Sequence, residues 1–315
     1  MYINPNFHED SMGLPNQCML CKAESNKQSS VTPHVFGDVD KKHAFYKCKD
    51  CDVIYLYPQL NLEQEKEFYA REFEKFMNDR SGTSAGWQGP IEHIKANQSQ
   101  FQRRWHYLKN YLPSQGSILE VGCSSGFMLF PLKEQGYECY GIEPSGAFSE
   151  YVAKQGIPLF QSLEESNKKF DIIMNFFVME HVREPREFIQ ACLSHLNLKG
   201  KLIIEIPNAN DPLVSIYDVP AFERFYWSIA HHWYFSENSL KHMLEKIPNI
   251  SYTILKDQRY DLSNHMTWAR DGKPGGMGRF TAKLGGKLEE YYKEALVKSG
   301  YCDTLVLVIE GNVGQ

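Results

Sequence analysis

Four cysteines carry the most specific chemistry in this chain. They form two pairs, Cys18 with Cys21 and Cys48 with Cys51, and two residues separate the members of each. That gap lets both sulfurs of one turn reach a single ion, and two such turns complete a closed tetrahedral thiolate shell. The spacing predicts a structural zinc site with no open catalytic position. The 26 residues between the pairs exceed the usual ribbon spacing, which a hairpin absorbs. His34 and His43 lie between the pairs as less favoured substitutes. A segment this short builds little core of its own, and a metal supplies the missing constraint.

A second constellation is Glu120-Val-Gly122-Cys123-Ser124-Ser-Gly126, placed between a strand pattern and a helix pattern. The glycines admit close backbone approach, and the helix start offers unpaired N–H groups. The order is not the GxGxxG of a dinucleotide fold. An acid at the strand end suits a ligand with an amino group and repels a pyrophosphate. Glu143 ends the next strand pattern, 21 residues after Gly122. A carboxylate there can take two ribose hydroxyls. S-adenosylmethionine meets both demands.

These groups need a scaffold. From residue 116, strand and helix patterns alternate. Strands are expected at 118–122, 139–143, 170–177, after Gly200, 250–256 and 304–310. Helices are expected at 127–136, with Pro131 near the start or at a kink, and at 146–156, 184–197 and 236–246. The alternation predicts an α/β fold, a doubly wound and mostly parallel sheet covered on both faces. Ser236 is the expected N-cap of the 236–246 helix. Ser239 stands where an acid would complete the capping box, so only half of the box is expected. Upstream, Phe68, Tyr69, Phe73 and Phe76 recur at helical spacing, as do Ile91, Ile94, Phe101, Trp105, Leu108 and Leu112 before Pro113. Residues 81–90 read as a loop between these helices. The expected organisation is a zinc-binding module at 1–60, a helical linker or lid at 61–115, and a main domain at 116–315 with an insertion at about 257–302.

Composition narrows the function. The 315 residues are 42% hydrophobic and 23% charged, with a net charge of −5 and a pI near 6.1. No global basic field exists to hold nucleic acid. The apolar run at 172–179 is far shorter than the ~18–20 residues a membrane span needs. The N-terminus MYINPNFHED lacks a basic stretch followed by an apolar one, which predicts a cytoplasmic protein. In that reducing compartment, the cysteines favour metal over disulfides.

The chain resembles the class I S-adenosylmethionine-dependent methyltransferases through ILEVGCSSGFMLFPL, YGIEPSG, FDIIMNFFVMEHV, LKGKLIIEIPN and HHWYFSENSL. The match spans roughly 116–245, and the last strands carry it to 310. Ser124 stands where many relatives have a third glycine. The resemblance places Glu120, Gly122, Cys123 and Gly126 along the methionine part and Glu143 on the ribose. It puts Pro144 and Ser145 beside the adenosine, Ser162 and Leu163 near the adenine, and Asn175 and Phe176 on the methionine side.

Acceptor chemistry is less determined. Oxygen acceptors need a base, and imidazole titrates near neutrality. Glu180 and His181 follow the fourth core strand, and His231 and His232 precede Trp233-Tyr234-Phe235-Ser236. These are the candidate catalytic residues. The stretch YKCKDCDVIYLYP and the two knuckles resemble sugar methyltransferases of polysaccharide and antibiotic deoxysugar pathways. In the C-methylating members, a tyrosine and a glutamate precede the matching histidine. Here Ser228 and Ala230 take those places, which turns the expectation toward O- or N-methylation. The expected acceptor is a sugar or nucleotide-sugar. An aromatic-rich loop at 212–233 and the basic, glycine-rich segment at 257–280 are the expected acceptor regions. Arg259, Arg270, Lys273 and Arg279 offer a diphosphate cradle, and Tyr226, Trp227, Trp233 and Trp268 either stack on a ligand or fill a lid. Two alternatives are an RNA methyltransferase with a zinc module and a zinc-ribbon interaction protein without catalysis. Against the RNA reading, residues 1–60 hold six lysines and no arginine beside seven acids.

Overall fold

The computed structural model describes residues 13–68, 89–144 and 146–311. Tyr69, Phe73, Phe76, Ser145, most of the expected 81–90 loop and the N-terminal decapeptide lie outside them.

Two sheets organise the chain. The larger has seven strands in the order β10-β11-β8-β7-β4-β5-β6. Its parallel centre comprises β4 (Ser117–Val121), β5 (Glu138–Ile142), β6 (Leu159–Phe160), β7 (Phe170–Phe176) and β8 (Leu196–Pro207). β11 (Thr304–Gly311) runs antiparallel to both β8 and β10 (Ile250–Asp257), so the sheet is mostly parallel, as expected. The strand order reverses between β4 and β7. In open α/β sheets, that switch point is where a crevice forms beyond the strand C-termini.

The central strands are mostly apolar because both faces are covered, with Glu120, Asn175 and Glu205 as buried exceptions. One face carries Tyr107, Leu108, Met128, Leu129 and Val152. These come from α2 (Pro90–Leu108), α3 (Leu129–Glu134) with its approach, and α4 (Ala147–Lys154), numbered after a short α1 (Leu62–Glu67). The other face carries Ile189 of α5 (Pro185–Ser194) and Leu240, Met243 and Leu244.

Most expected elements form, with shifted ends. The helix expected to run to Leu112 stops at Leu108. Pro131 lies in the first turn of α3, where a missing N–H costs nothing. β8 starts at Leu196, ahead of Gly200.

The smaller sheet places β1 (Gln28–Thr32), β2 (Ala44–Cys48) and β3 (Ile54–Tyr57) side by side, antiparallel. Its fourth strand is β9 (Trp233–Tyr234), with Ile54 opposite Tyr234 and Tyr55 opposite Trp233. The cysteine segment is thus stitched to a part of the chain about 180 residues away. Residues 212–233 are not the open loop expected. They fold into α6 (Pro212–Ser215) and α7 (Pro220–Tyr226) before β9. Tyr226, Trp227, Trp233 and Trp268 are all buried, so they fill core and do not offer stacking faces. Each such ring contributes about 2–3 kcal/mol of burial.

The expected insertion folds into α9 (Leu262–Asp271) and α10 (Lys287–Ser299), after α8 (Glu237–Leu244). Both halves of the capping box at α8 are present, correcting the half-box expectation. Ser236 Oγ accepts from Ser239 N at 3.2 Å, and Ser239 Oγ accepts from Ser236 N at 2.9 Å. A serine hydroxyl accepts as an acid would. Among the described residues, no helix is long and apolar enough to cross a membrane.

Candidate functional site

The four paired cysteines converge. Cys18 and Cys51 sulfurs lie 3.7 Å apart, as do those of Cys21 and Cys48, and all four fall within 4.8 Å of one another. Four sulfurs at ~2.3 Å from one zinc ion stand ~3.8 Å apart in a tetrahedron. The two turns are built alike. Lys22 and Asp52, each just after the second cysteine of its pair, have φ of 65° and 62°. Each donates its N–H to the carbonyl of the first cysteine, at 3.0 and 2.9 Å. The donor set therefore fits a closed, structural zinc. His43 is engaged elsewhere, with Nδ1 2.6 Å from Pro58 O, and neither it nor His34 joins the cluster.

The second site lies at the C-terminal ends of β4, β5 and β7. Gly122 and Gly126 have φ of 73° and 78°. A Cβ on Gly122 would stand 2.6 Å from Val178 Cγ2, so any other residue there forces a shift of its surroundings. Ser124 has φ of 49°. This is the left-handed region, which favours glycine. The serine costs about 1 kcal/mol there. Its N–H donates to Glu143 Oε2 at 2.7 Å, so the second strand's carboxylate closes back over the turn.

Several buried groups in this crevice lack partners. They are Glu120 Oε2, Ser124 Oγ, and both Nδ2 and Oδ1 of Asn175. A buried polar atom with no partner costs about 1–3 kcal/mol. Burial pushes the Glu120 carboxyl well above the usual range; nearby Arg104 opposes this and Glu143 adds to it. Burial also raises Glu143 to about 7, against the Ser124 N–H bond. Two carboxyls held reluctant to ionise, beside an amide with both ends open, match a ligand with an ammonium and a second positive charge. The residues present fit S-adenosylmethionine.

A cleft of about 360 Å³ adjoins this crevice, lined by Val121, Ile142, Ser162, Leu163, Val182 and Phe188 among others. Ser162 and Leu163 are thus brought to the strand ends, and Pro144 follows Glu143 on the exposed side. Cys123 and Phe176 are buried.

The histidines separate. His181 and His231 stand together, with ring centroids 4.7 Å apart at 89°, and Glu180 joins them in one cluster. His181 Nδ1 lies 2.7 Å from Ala230 O. His232 is outside that cluster. Its Nε2 is 2.6 Å from Glu65 Oε1, and burial lowers its pKa to about 3. It fastens α1 to the aromatic segment.

Of the expected diphosphate cradle, Arg270 and Arg279 both pair with Asp271, which leaves little charge to offer. Arg259 does reach the sheet edge. Its guanidinium lies 4.3 Å from the Phe177 ring centroid, and its Nε has no partner.

Sequence reasoning missed the anchor of α2. Glu205 of β8 is fully buried and takes Arg103 at 2.6 Å, Arg104 at 3.1 Å and Tyr107 at 2.5 Å. Burial works against its charge, but Arg104, Arg103 and Arg259 outweigh it and hold the pKa near 2. Arg104 also lies 4.1 Å from the Phe176 ring centroid. His93 of the same helix meets Ser125 Oγ at 2.8 Å, beside the glycine turn. The signal was a lone acid inside the apolar strand KLIIEIP. Such a charge demands a buried cation.

Residues 93–247, just under half of the chain, match a family model described as a methyltransferase domain. A ubiquinone biosynthesis O-methyltransferase of Rhizobium etli (strain CIAT 652) is 27% identical over 111 residues, 32% of this chain and 45% of that protein. A tRNA U34 carboxymethyltransferase of Helicobacter pylori (strain G27) is 26% identical over 125 residues, 35% of this chain and 48% of that one. The chain thus spans about half the length of the curated relatives it matches. A crystal structure of a SAM-dependent methyltransferase from Archaeoglobus fulgidus superposes with a TM-score of 0.46 at 14% identity, over 76% of this chain and all of that one. The matched segment holds the glycine turn, both crevice carboxylates, Asn175 and the Glu180–His181–His231 cluster, and over these residues the chain is similar to a methyltransferase domain.

Proposed function

We propose that this protein moves a methyl group from S-adenosylmethionine to an oxygen or nitrogen of a sugar or nucleotide-sugar, in surface-polysaccharide or related glycan biosynthesis. The observation that carries the donor half is the set of unpartnered buried atoms on Glu120, Ser124 and Asn175. In this reading Glu120, Gly122, Cys123, Gly126, Asn175 and Phe176 line the methionine part. Glu143 takes the ribose hydroxyls, and Pro144, Ser162 and Leu163 border the adenosine. The bound cofactor supplies an electrophilic methyl on a sulfonium. The chain orients it, excludes water and presents the acceptor in line. His181 and His231 activate the acceptor, while His232 holds structure.

The acceptor half rests on chemistry at the same edge. Arg259 over Phe177 gives a fixed cation for a phosphate or carboxylate of the acceptor. Ala230 and Ser228 replace the glutamate and tyrosine of C-methylating relatives, which leaves deprotonation of a hydroxyl or amine as the easier task. Cys18, Cys21, Cys48 and Cys51 hold one structural zinc, which fixes β3 and through it β9 and the histidine segment.

The test is turnover of a nucleotide-sugar panel with S-adenosylmethionine, followed by mass. Gain of one methyl on a panel member supports the reading. Methylation of RNA instead, with no sugar product, overturns it.

A further inference from the structure

Three side chains beyond the cofactor crevice have the composition of a metal shell. Glu180 and His181 lie on the short turn after β7, and His231 lies between α7 and β9. One ligand atom from each falls within 4.8 Å of the other two. Nitrogen and oxygen ligands at ~2.0–2.2 Å from one ion stand roughly 3–4.4 Å apart. The shell therefore closes with small side-chain movement.

The supporting geometry is specific. His181 Nδ1 is 2.7 Å from Ala230 O. A carbonyl only accepts, so Nδ1 carries the proton and Nε2 keeps the lone pair. That is how a second hydrogen bond fixes a metal-ligating histidine. Two further bonds hold the segments in register: His232 N to Glu180 O at 2.9 Å, and Trp233 Nε1 to Val182 O at 2.8 Å. Ligands distant in sequence are thus held by rigid neighbours. The turn also leans on the donor site, because Val178 fills the space beside Gly122. Two nitrogens and one carboxylate leave coordination positions open, which is the pattern of a catalytic ion and not of a closed structural one.

We infer that Glu180, His181 and His231 bind a divalent first-row transition ion whose open positions take an acceptor oxygen. The role, though not the binding, rests on the methyl-transfer reading above. A hydroxyl on such an ion gives its proton to water more readily. Its oxygen lone pair forms the O–CH3 bond as the C–S bond breaks, and the sulfonium leaves as a neutral thioether. The ion separates this site from the cysteine cluster by chemistry: Mn2+ prefers nitrogen and oxygen ligands, while thiolates select zinc.

The test uses the full chain with its cysteine cluster loaded with zinc, titrated with Mn2+ and followed by electron paramagnetic resonance. One saturable Mn2+ per chain is expected. Affinity should fall at least about tenfold in Glu180→Gln and in His181→Ala, and stay unchanged in His242→Ala. His231→Gln gives a second test with a side chain of similar size, and circular dichroism verifies folding of each. Absence of saturable Mn2+ and Co2+ binding beyond the zinc, or equal binding in every folded variant, overturns the inference. Calorimetry with S-adenosylmethionine on the same samples keeps the two readings apart. Cofactor binding without the ion rejects this inference alone.

Discussion

The imidazoles of His181 and His231 meet edge to face, 4.7 Å between centroids, although 50 positions separate them in the chain. The meeting depends on β9, whose pairing with β3 ties the histidine segment to the cysteine ribbon. The cysteine cluster and the Glu180–His181–His231 group are therefore mechanically linked.

That link gives the first prediction. Cys18→Ser should release zinc and destabilise β1–β3, and with them the packing of Trp233 and Tyr234. Loss of zinc, measured by a chromogenic chelator, should coincide with a drop in melting temperature and with increased hydrogen exchange at residues 228–236. Retention of one zinc per chain would reject the four-cysteine site. Exchange unchanged at 228–236 would reject the mechanical link.

Glu205 provides the second. Its folded pKa, near 2, lies below the ordinary glutamate value of 4.5. A depressed carboxyl contributes stability that is fully present above the unfolded pKa. The contribution is lost as pH falls from 4.5 through about 2. Glu205→Gln should cost about 3–5 kcal/mol at neutral pH, because it leaves Arg104 buried without its counter-charge. Urea titrations across that window should converge for wild type and variant at the acid end. Parallel curves at all pH values would show that the arginine cluster does not act through charge.

Much of the scaffold could be read from the residues. The β4 turn announced itself because an acid and two glycines at fixed spacing between a strand and a helix have few other uses. The paired cysteines did the same. The histidine pair was legible only as separate candidates, since residues 50 apart declare no contact. His232 looked equivalent to His231 by spacing, yet its Nε2 meets Glu65 of α1 and it lies outside the Glu180–His181–His231 cluster. The aromatic rings of residues 212–233 read as either ligand-stacking or lid-filling because they had no visible partner. The partner is the ribbon itself, through a pairing of high sequence separation that local patterns do not encode. The basic residues of the insertion read as an anion cradle because their spacing alone does not show that nearby Asp271 takes both Arg270 and Arg279.

The third prediction concerns Glu143. Burial raises its pKa to about 7. The positive charges of S-adenosylmethionine favour the ionised form, so binding should release a proton. Affinity should therefore rise by about tenfold between roughly pH 6 and pH 8. Glu143→Gln should bind more weakly and show a shallower slope. Calorimetry in buffers of different ionisation enthalpy reads the proton directly. An affinity flat with pH in the wild type would remove Glu143 from the cofactor site.

His232 yields the fourth. With its Nε2 on Glu65 and its ring buried, His232→Ala should lower the melting temperature by several degrees, about 1–3 kcal/mol of lost contacts. It should leave the pH dependence of turnover unchanged. A shifted pH profile in a folded His232→Ala protein would return this residue to the chemistry.

The central claim is that the crevice between Glu120 and Glu143 seats S-adenosylmethionine. Calorimetric titration of the full chain with this compound tests it most directly, with Asn175→Ala and Gly122→Ala measured alongside. One site per chain is predicted, weakened at least about tenfold in Asn175→Ala through loss of a buried hydrogen bond and abolished in Gly122→Ala, where the new methyl meets Val178. No heat with S-adenosylmethionine, or equal binding in both folded variants, would contradict the account.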